Sequence, residues 1–241
     1  MRAVILAGGT GSRLRPLTNL INKHLLPVGE QPMISHAVNK LKQAGVTNIL
    51  IITSRSAAGM FTAYLGSGEN DGVALTYKVQ EQAGGIAEAL ALAEDFVGRD
   101  DKFIVLLGDN LFEDPLKPHI EAFREQPDGA MVLLKEVHDP ERYGVPVFTG
   151  DGTRIERIEE KPENPSSSFC VTGIYMYDAT VFDRVRAIQP SARGELEITD
   201  VNNAYAADGK LSCRRLEGWW TDAGTFDSLY EASAKMRGAR G

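Results

Sequence analysis

The 241-residue chain has only two cysteines and four histidines. Cys170 and Cys213 have no motif spacing and no histidine placed as a co-ligand, so neither a zinc site nor a required disulfide is expected. Two free, buried thiols fit better. His24, His36, His119 and His138 are scattered, none beside a nucleophile with a third partner, which leaves triad hydrolysis unsupported. Long apolar runs are missing too. Nothing approaches the roughly 20 residues of a membrane span, and the run over residues 3–7 is too short for a signal-peptide core. The cytoplasm is the expected compartment. An excess of basic residues is also absent: the net charge of −7 argues against a nucleic-acid or anionic-membrane partner, which needs a positive field. A single nucleotide remains possible, held by local arginines.

With 43% hydrophobic and 24% charged residues, the chain can bury a substantial core. There is no internal repeat, and the loop over 164–168 is too short to separate free domains. We therefore expect one domain over 1–241, with a nucleotide-binding half over about 1–130 and a second half over about 131–241. Strand-like runs at 2–6, 48–53, 75–80 and 103–107 alternate with helix-like stretches at 32–44, 57–65 and 85–96, the rhythm of a parallel sheet covered by helices. Beyond residue 130 the pattern shifts to strands with tight turns, as in Gly150-Asp151-Gly152 between 145–148 and 154–158. A strand over 171–177 and helices over 180–188, 197–207 and 226–236 then restore the α/β rhythm. The expected class is α/β: a Rossmann-like, mixed, mainly parallel central sheet flanked by helices, with added hairpins in the second half.

The most informative segment follows the first strand: Leu6-Ala7-Gly8-Gly9-Thr10-Gly11-Ser12-Arg13-Leu14-Arg15. A buried strand that opens into a glycine loop and then a fixed cation presents bare backbone N–H groups to an anion. It is not a dinucleotide fingerprint, because Leu14 stands where the third glycine belongs. Nor is it a P-loop, because Arg13-Leu14-Arg15 replaces Gly-Lys-Ser/Thr. Glycines that merely allow a tight turn would explain one of the three, but three with two arginines point to phosphate.

In open parallel sheets ligands collect at the carboxyl ends of strands, so the loops after the first, third and fourth strands should meet at one edge. The third is followed by Gln80 to Gly85 and the fourth by Gly108-Asp109-Asn110. Asp109 is placed as a magnesium ligand would be, and equally as a turn aspartate. Asp222, two residues before Gly224, fits a second carboxylate ligand or an N-cap for the last helix. Lys23 can reach back to the glycine loop or simply face solvent. Glu160-Lys161 can serve sugar hydroxyls and phosphate, or end a hairpin, and Arg193 is another available cation.

Together these residues give a chain that resembles the sugar-1-phosphate nucleotidyltransferases, and among them the shorter bacterial thymidylyltransferases. The matching segments, 6–18, 22–28, 79–89, 107–110, 139–145, 159–162, 171–177, 190–202 and 218–225, run in order nearly end to end. The resemblance implies transfer of a nucleotidyl group from dTTP, with UTP a poorer substitute, to a hexose 1-phosphate, foremost glucose 1-phosphate. The products would be dTDP-glucose and pyrophosphate. It implies that Leu6, Gly8, Gly9, Thr10 and Gly11 surround the triphosphate, with Arg13 on the departing pyrophosphate and Lys23 on phosphate oxygens. Gln80 and Gly85 would read the pyrimidine, and Asp109 and Asp222 would bind Mg²⁺. Arg13, Lys23 and Asp109 would carry the catalysis. Tyr143, Gly144, Glu160, Lys161, Val171 and Arg193 would take the sugar phosphate, and a homo-oligomer is implied.

One departure is visible: His24 stands where many relatives have glutamine. Longer members carry a further C-terminal helical segment tied to a regulatory nucleotide site. The chain ends at Gly241, so that feedback is expected to be reduced or built differently. The alternatives are a uridylyltransferase, transfer to another hexose 1-phosphate, or a silent nucleotide-sugar-binding subunit. A nicotinamide oxidoreductase is disfavoured by Leu14.

Overall fold

An unbroken apolar run suits a strand covered on both faces, and all five side chains from Ala3 to Ala7 are buried. The computed structural model describes residues 1–98 and 101–238. In chain order its elements are β1 (Arg2–Ala7), β2 (Pro27–Val28), β3 (Gln31–Pro32), α1 (Met33–Gln43), β4 (Asn48–Ser54), α2 (Ala58–Leu65) and β5 (Ala74–Gln80). There follow α3 (Ile86–Ala91), α4 (Glu94–Val97), β6 (Phe103–Leu107), β7 (Leu111–Phe112), α5 (Lys117–Glu125), β8 (Ala130–Glu136), β9 (Gly144–Phe148) and β10 (Ile155–Glu160). The last are β11 (Phe169–Tyr177), α6 (Val181–Ala187), α7 (Ile198–Ala207), β12 (Leu211–Arg215), β13 (Trp220–Thr221) and α8 (Phe226–Gly238).

The chain forms two compact units. One, here the β1 unit, holds Arg2–Ala83, Leu106–Lys117 and the described residues from Gly218 onward; the other, the β8 unit, holds the described residues of Gly84–Val105 together with Pro118–Glu217. Seven strands make a mixed, mainly parallel sheet. Of these, β1, β4 and β5 belong to the β1 unit, β8, β11 and β12 to the β8 unit, and β6 has residues in both.

In the β1 unit, β1, β4 and β5 run parallel, with Ala7 opposite Thr53 and Ser54 opposite Gln80. Their carboxyl ends therefore share one edge. Helix α1 buries Ile34, Ala37, Val38 and Leu41, the i, i+3, i+4, i+7 stripe of a half-buried helix. It stops where Gly45 turns back at φ 75°, a conformation that costs glycine nothing.

In the β8 unit, β11 is antiparallel to β8, with a register shift between Val171 and Tyr175, and β12 is parallel to β8. The expected hairpin is β9–β10, and its Asp151 carboxylate accepts from Thr149 Oγ1, Thr153 N and Thr153 Oγ1. Strand β12 reads Leu-Ser-Cys-Arg-Arg and has no apolar run, so its sequence does not announce a strand. The helix expected over 85–96 is broken into α3 and α4. Leu90, Ala93 and Val97 are buried on both sides of the break, so the apolar period passes through it unmarked. Neither cysteine is in a disulfide; Cys170 is buried as expected, whereas Cys213 is only partly covered. Among the described residues, no helix is long and apolar enough to cross a membrane.

The core of the β8 unit centres on aromatic rings. Phe103 stacks on Phe182 at 5.7 Å between centroids and lies 6.2 Å from Tyr177, which in turn stacks on Tyr205. Burial drives the Tyr177 phenol well above its ordinary pKa. Its hydroxyl donates to Asn202 Oδ1 at 2.7 Å, with both residues buried. Tyr177→Phe should lower stability by about 1–3 kcal/mol, because it strands a buried acceptor. In urea unfolding the midpoint should fall with the slope unchanged.

Candidate active site

The glycine loop closes on itself before it meets any ligand. Gly11 takes φ 63° and leads into a single 3-10 turn over Ser12–Leu14, and its carbonyl accepts from Thr18 Oγ1 at 2.7 Å. Leu14 is fully buried and anchors the turn, which leaves Arg13 projecting outward with its side chain 59% exposed. A hollow of about 270 Å³ opens beside the loop, lined in part by Gly8, Gly9, Thr10, Ser54 and Ser56. Leu6 is buried at the end of β1, and its carbonyl accepts from Gly108 N at 2.9 Å. Within this unit the loops after β1 and β6 therefore meet at one edge, and parallel β5 ends at the same edge.

Lys23 is held by its own short turn. The Asn22 side chain accepts from His24 N at 3.0 Å and from the His24 ring at 2.8 Å, and its amide donates to the Ala7 carbonyl at 3.3 Å. The turn is thereby tied to the end of β1, and Lys23 Nζ forms a hydrogen-bonded ion pair with Asp109 Oδ2. Burial alone would raise the Asp109 pKa. The charge of Lys23 and hydrogen bonds from Lys23 and Asn110 outweigh it, and the carboxyl lies below its usual value. His24 is pushed down to about 3 by burial and by Lys23, against the pull of Asp109. It is neutral, with its ring proton on Nδ1 toward Asn22.

Asp222 comes to the same region through a short ladder. Strands β7 and β13 pair antiparallel, Leu111 opposite Thr221, and Trp220 Nε1 donates to Asn110 Oδ1 at 2.8 Å. The residues just before β7, Asp109 and Asn110, and just after β13, Asp222 and Ala223, thus lie at one end of that ladder. Asp222 Oδ2 is 3.9 Å from Arg13 Nη2. Ala223 holds φ 33°, a strained conformation of the kind found where a side chain must be aimed. Two hard carboxylates suit a magnesium ion, which takes one or two from the protein and completes its shell with phosphate and water. Among the described residues no group of three or more His, Cys, Asp or Glu could cage a metal by itself.

A second constellation forms within the β8 unit. Glu160 Oε2 accepts from Thr199 Oγ1 at 2.6 Å, while Lys161 Nζ lies 3.2 Å and Arg193 Nη2 3.5 Å from Glu160 Oε1. Arg193 is held in turn by Glu197 at 2.9 Å, and Glu197 accepts from Ser191 Oγ at 2.8 Å. Lys161, at φ 46°, donates its N–H to the Tyr143 carbonyl. A Cβ on Gly144 would lie 3.6 Å from Thr199 Oγ1 and 3.7 Å from Glu160 Oε2, so that backbone lines the same spot. Gly85 faces the Leu196 backbone, and Leu196 N donates to the Gly84 carbonyl at 2.8 Å. Val171 lies on β11 opposite Leu134. Tyr143, Gly144, Glu160, Lys161 and Arg193 are thus brought together.

Sequence reading missed Asn22, Thr199 and Glu197, each of which positions a named residue. Asn22, just before Lys23 and a short turn, carried an N-cap signal that could have been read. Thr199 in Glu-Ile-Thr carried none.

A glycine loop at the end of a parallel strand, with paired cations and carboxylates beside it, defines a phosphate-handling α/β protein. The profile of the nucleotidyl transferase family matches residues 2–238, and the chain belongs to that family. It is 41% identical over 237 residues to a glucose-1-phosphate thymidylyltransferase of Neisseria meningitidis, covering 97% of this chain and 82% of that one. With the Actinoplanes enzyme of the same name the identity is 44% over 240 residues, covering 98% and 78%. Among solved structures, a Bacillus anthracis protein assigned as a glucose-1-phosphate thymidylyltransferase, crystallised with sucrose, superposes with TM-score 0.93 at 55% identity over 98% of this chain and 95% of that one. A UDP-glucose pyrophosphorylase complexed with UDP-glucose superposes at 0.87 with 26% identity, covering 99% and 98%.

His24 supplies a test of the buried pair. Its folded pKa lies below its unfolded value, so the unfolded chain binds more protons between those two values. The stability it contributes is complete above about pH 6.5 and falls as pH drops toward about 3. In the metal-free protein the ring should stay neutral from about pH 8 to pH 5, seen as invariant imidazole shifts in NMR. His24→Gln should reduce the loss of stability on the acid side.

Proposed function

We propose that this protein is a glucose-1-phosphate thymidylyltransferase. It would join dTTP and glucose 1-phosphate into dTDP-glucose and release pyrophosphate, in the cytoplasm. The observation that carries this reading is the largely covered Lys23–Asp109 pair set beside the glycine loop and the Arg13–Asp222 contact, supported by the similarity of nearly the whole chain to enzymes of that name. Leu6, Gly8, Gly9, Thr10 and Gly11 would surround the triphosphate, with Gln80 and Gly85 on the base. Tyr143, Gly144, Glu160, Lys161, Val171 and Arg193 would take the sugar phosphate, Glu160 on hydroxyls and the two cations on phosphate.

In this reaction a sugar-phosphate oxygen attacks the α-phosphorus in line, and the α–β bridging bond breaks to release pyrophosphate. The nucleophile is already anionic, so no general base is required. A neutral, buried His24 bonded to Asn22 fits that requirement. What the chemistry demands is orientation and neutralisation of two polyanions. Arg13 extends to bind the departing pyrophosphate through charge-assisted hydrogen bonds. Lys23 is held in one place by Asp109 and by the Asn22 turn, so its ammonium need not be ordered on binding. Asp109 and Asp222 would hold Mg²⁺, which when bound neutralises phosphate charge and helps orient the triphosphate.

Arg13→Ala and Asp109→Asn should each lower kcat by about a hundred- to a thousandfold, the usual cost of removing one such electrostatic contact. Pyrophosphate release would be followed with dTTP, glucose 1-phosphate and Mg²⁺, and circular dichroism should show the fold intact. Near-normal turnover in either variant would remove that residue from the site, and no release with any nucleotide–sugar pair would favour a silent binding subunit. The thymine methyl is worth about 0.8 kcal/mol if fully buried. UTP should therefore work several-fold less well than dTTP in parallel kcat/KM measurements.

A further inference from the structure

The glycines of the loop are there for different reasons. Gly11 needs its left-handed backbone, φ 63°. Neither Gly8 nor Gly9 has a positive φ, so backbone strain demands glycine at neither. A Cβ on Gly9 would meet only Lys23 Cε at 3.6 Å and Nζ at 3.7 Å, ordinary contacts. A Cβ on Gly8 would lie 2.6 Å from Oε1 of Gln80, too close to stay, so the carboxamide end of Gln80 would have to move.

Register alone would hold Gly8 and Gln80 apart. Ala7 pairs with Thr53 and Ser54 with Gln80, so Gly8, the next residue after β1, continues the row of Ser54 and Gln80. Neighbouring strands are about 4.8 Å apart, which in a flat row would leave Gly8 and Gln80 two spacings apart; instead a Cβ on Gly8 would also lie 3.7 Å from Gln80 Cδ and 3.8 Å from its Cβ, so the chain leaving β1 turns toward the end of β5. Gln80 is only 8% exposed. Its carboxamide is packed against the bare backbone of Gly8.

We propose that Gly8 is a specificity-determining position: having no side chain, it seats the Gln80 carboxamide at the depth and angle at which it pairs with the imide edge of a pyrimidine. This rests on Gln80 being the base-reading side chain of the function proposed above. An imide edge offers an N–H beside a carbonyl oxygen, which a carboxamide answers with its own oxygen and N–H. Cytosine offers a bare ring nitrogen beside an amino group, which calls for the carboxamide turned over. A seat that fixes the amide therefore selects thymine and uracil against cytosine. Gly8 is a positioning residue acting through Gln80, whereas Gly9 serves the phosphates alone.

The test compares wild type, Gly8→Ala and Gly9→Ala for kcat/KM with dTTP, UTP and CTP at one sugar 1-phosphate, together with melting curves of the nucleotide-free proteins. Wild type should prefer both imide nucleotides to CTP. Gly8→Ala should lose about five- to a hundredfold of that preference, the worth of a bidentate base contact. Gly9→Ala should weaken all three nucleotides by a common factor and leave the preference as it was. Gly8→Ala should also lower the melting temperature, and that loss should vanish when it is made in a Gln80→Ala background. Retention of the wild-type preference in Gly8→Ala, or an equal melting loss in both backgrounds, would overturn the proposal. If Gly8→Ala alone does not fold, folding of Gly8→Ala/Gln80→Ala supports the proposal and its failure overturns it. A wild type indifferent between dTTP and CTP would instead overturn the reading of Gln80 itself.

Discussion

A carboxylate buried at the end of a strand stays charged only if something nearby favours its charge, and at Asp109 that is chiefly Lys23. Burial by itself favours the neutral acid, yet the net shift is downward. Much of the surrounding structure serves that outcome. Asn22 holds the Lys23 turn against the Ala7 carbonyl, Asn110 donates to the other Asp109 oxygen, and Trp220 fixes Asn110 in turn. Breaking a buried pair by removing one partner costs far more than the pair contributes. Removing either charge should therefore cost stability as well as activity, even where the overall fold is kept.

The second constellation follows another rule. Glu160, Lys161 and Arg193 are each partly exposed, where ion pairs contribute little to stability. Their worth lies in arrangement. Thr199 fixes one oxygen of Glu160 and Glu197 fixes Arg193, so an acceptor and two cations are held beside one another without deep burial. Such a patch suits a ligand that brings both hydroxyls and a phosphate and arrives hydrated.

The alternation of apolar strand runs with helical spacing was legible because β1, β4 and β6 are buried inside the sheet and must be apolar to sit there. Leu6 to Arg13 and Asp109 could be picked out because loops after parallel strands are where ligands bind, whereas Asp222, after an antiparallel pair, was marked only by the glycine two residues on. What was not legible has physical causes. Strand β12 carries a serine and two arginines, so nothing in its own letters marks it as a strand. The break between α3 and α4 leaves the apolar period intact. Thr199 matters only through a carboxylate 39 residues away in sequence, and the contact of Gln80 with Gly8 depends on strand order and on the path of the chain out of β1, which no local pattern encodes.

The side chain of Asn22 binds both the backbone and the ring of His24 while its amide grips β1, so positions 22 and 24 form one exchangeable cassette. A graft from a relative carrying glutamine at position 24 would inherit the wrong partner unless residue 22 travelled with it. Recombination within the family should therefore cross more easily outside the segment from Asn22 to His24 than inside it, and a designer shuffling these enzymes would place the junctions accordingly.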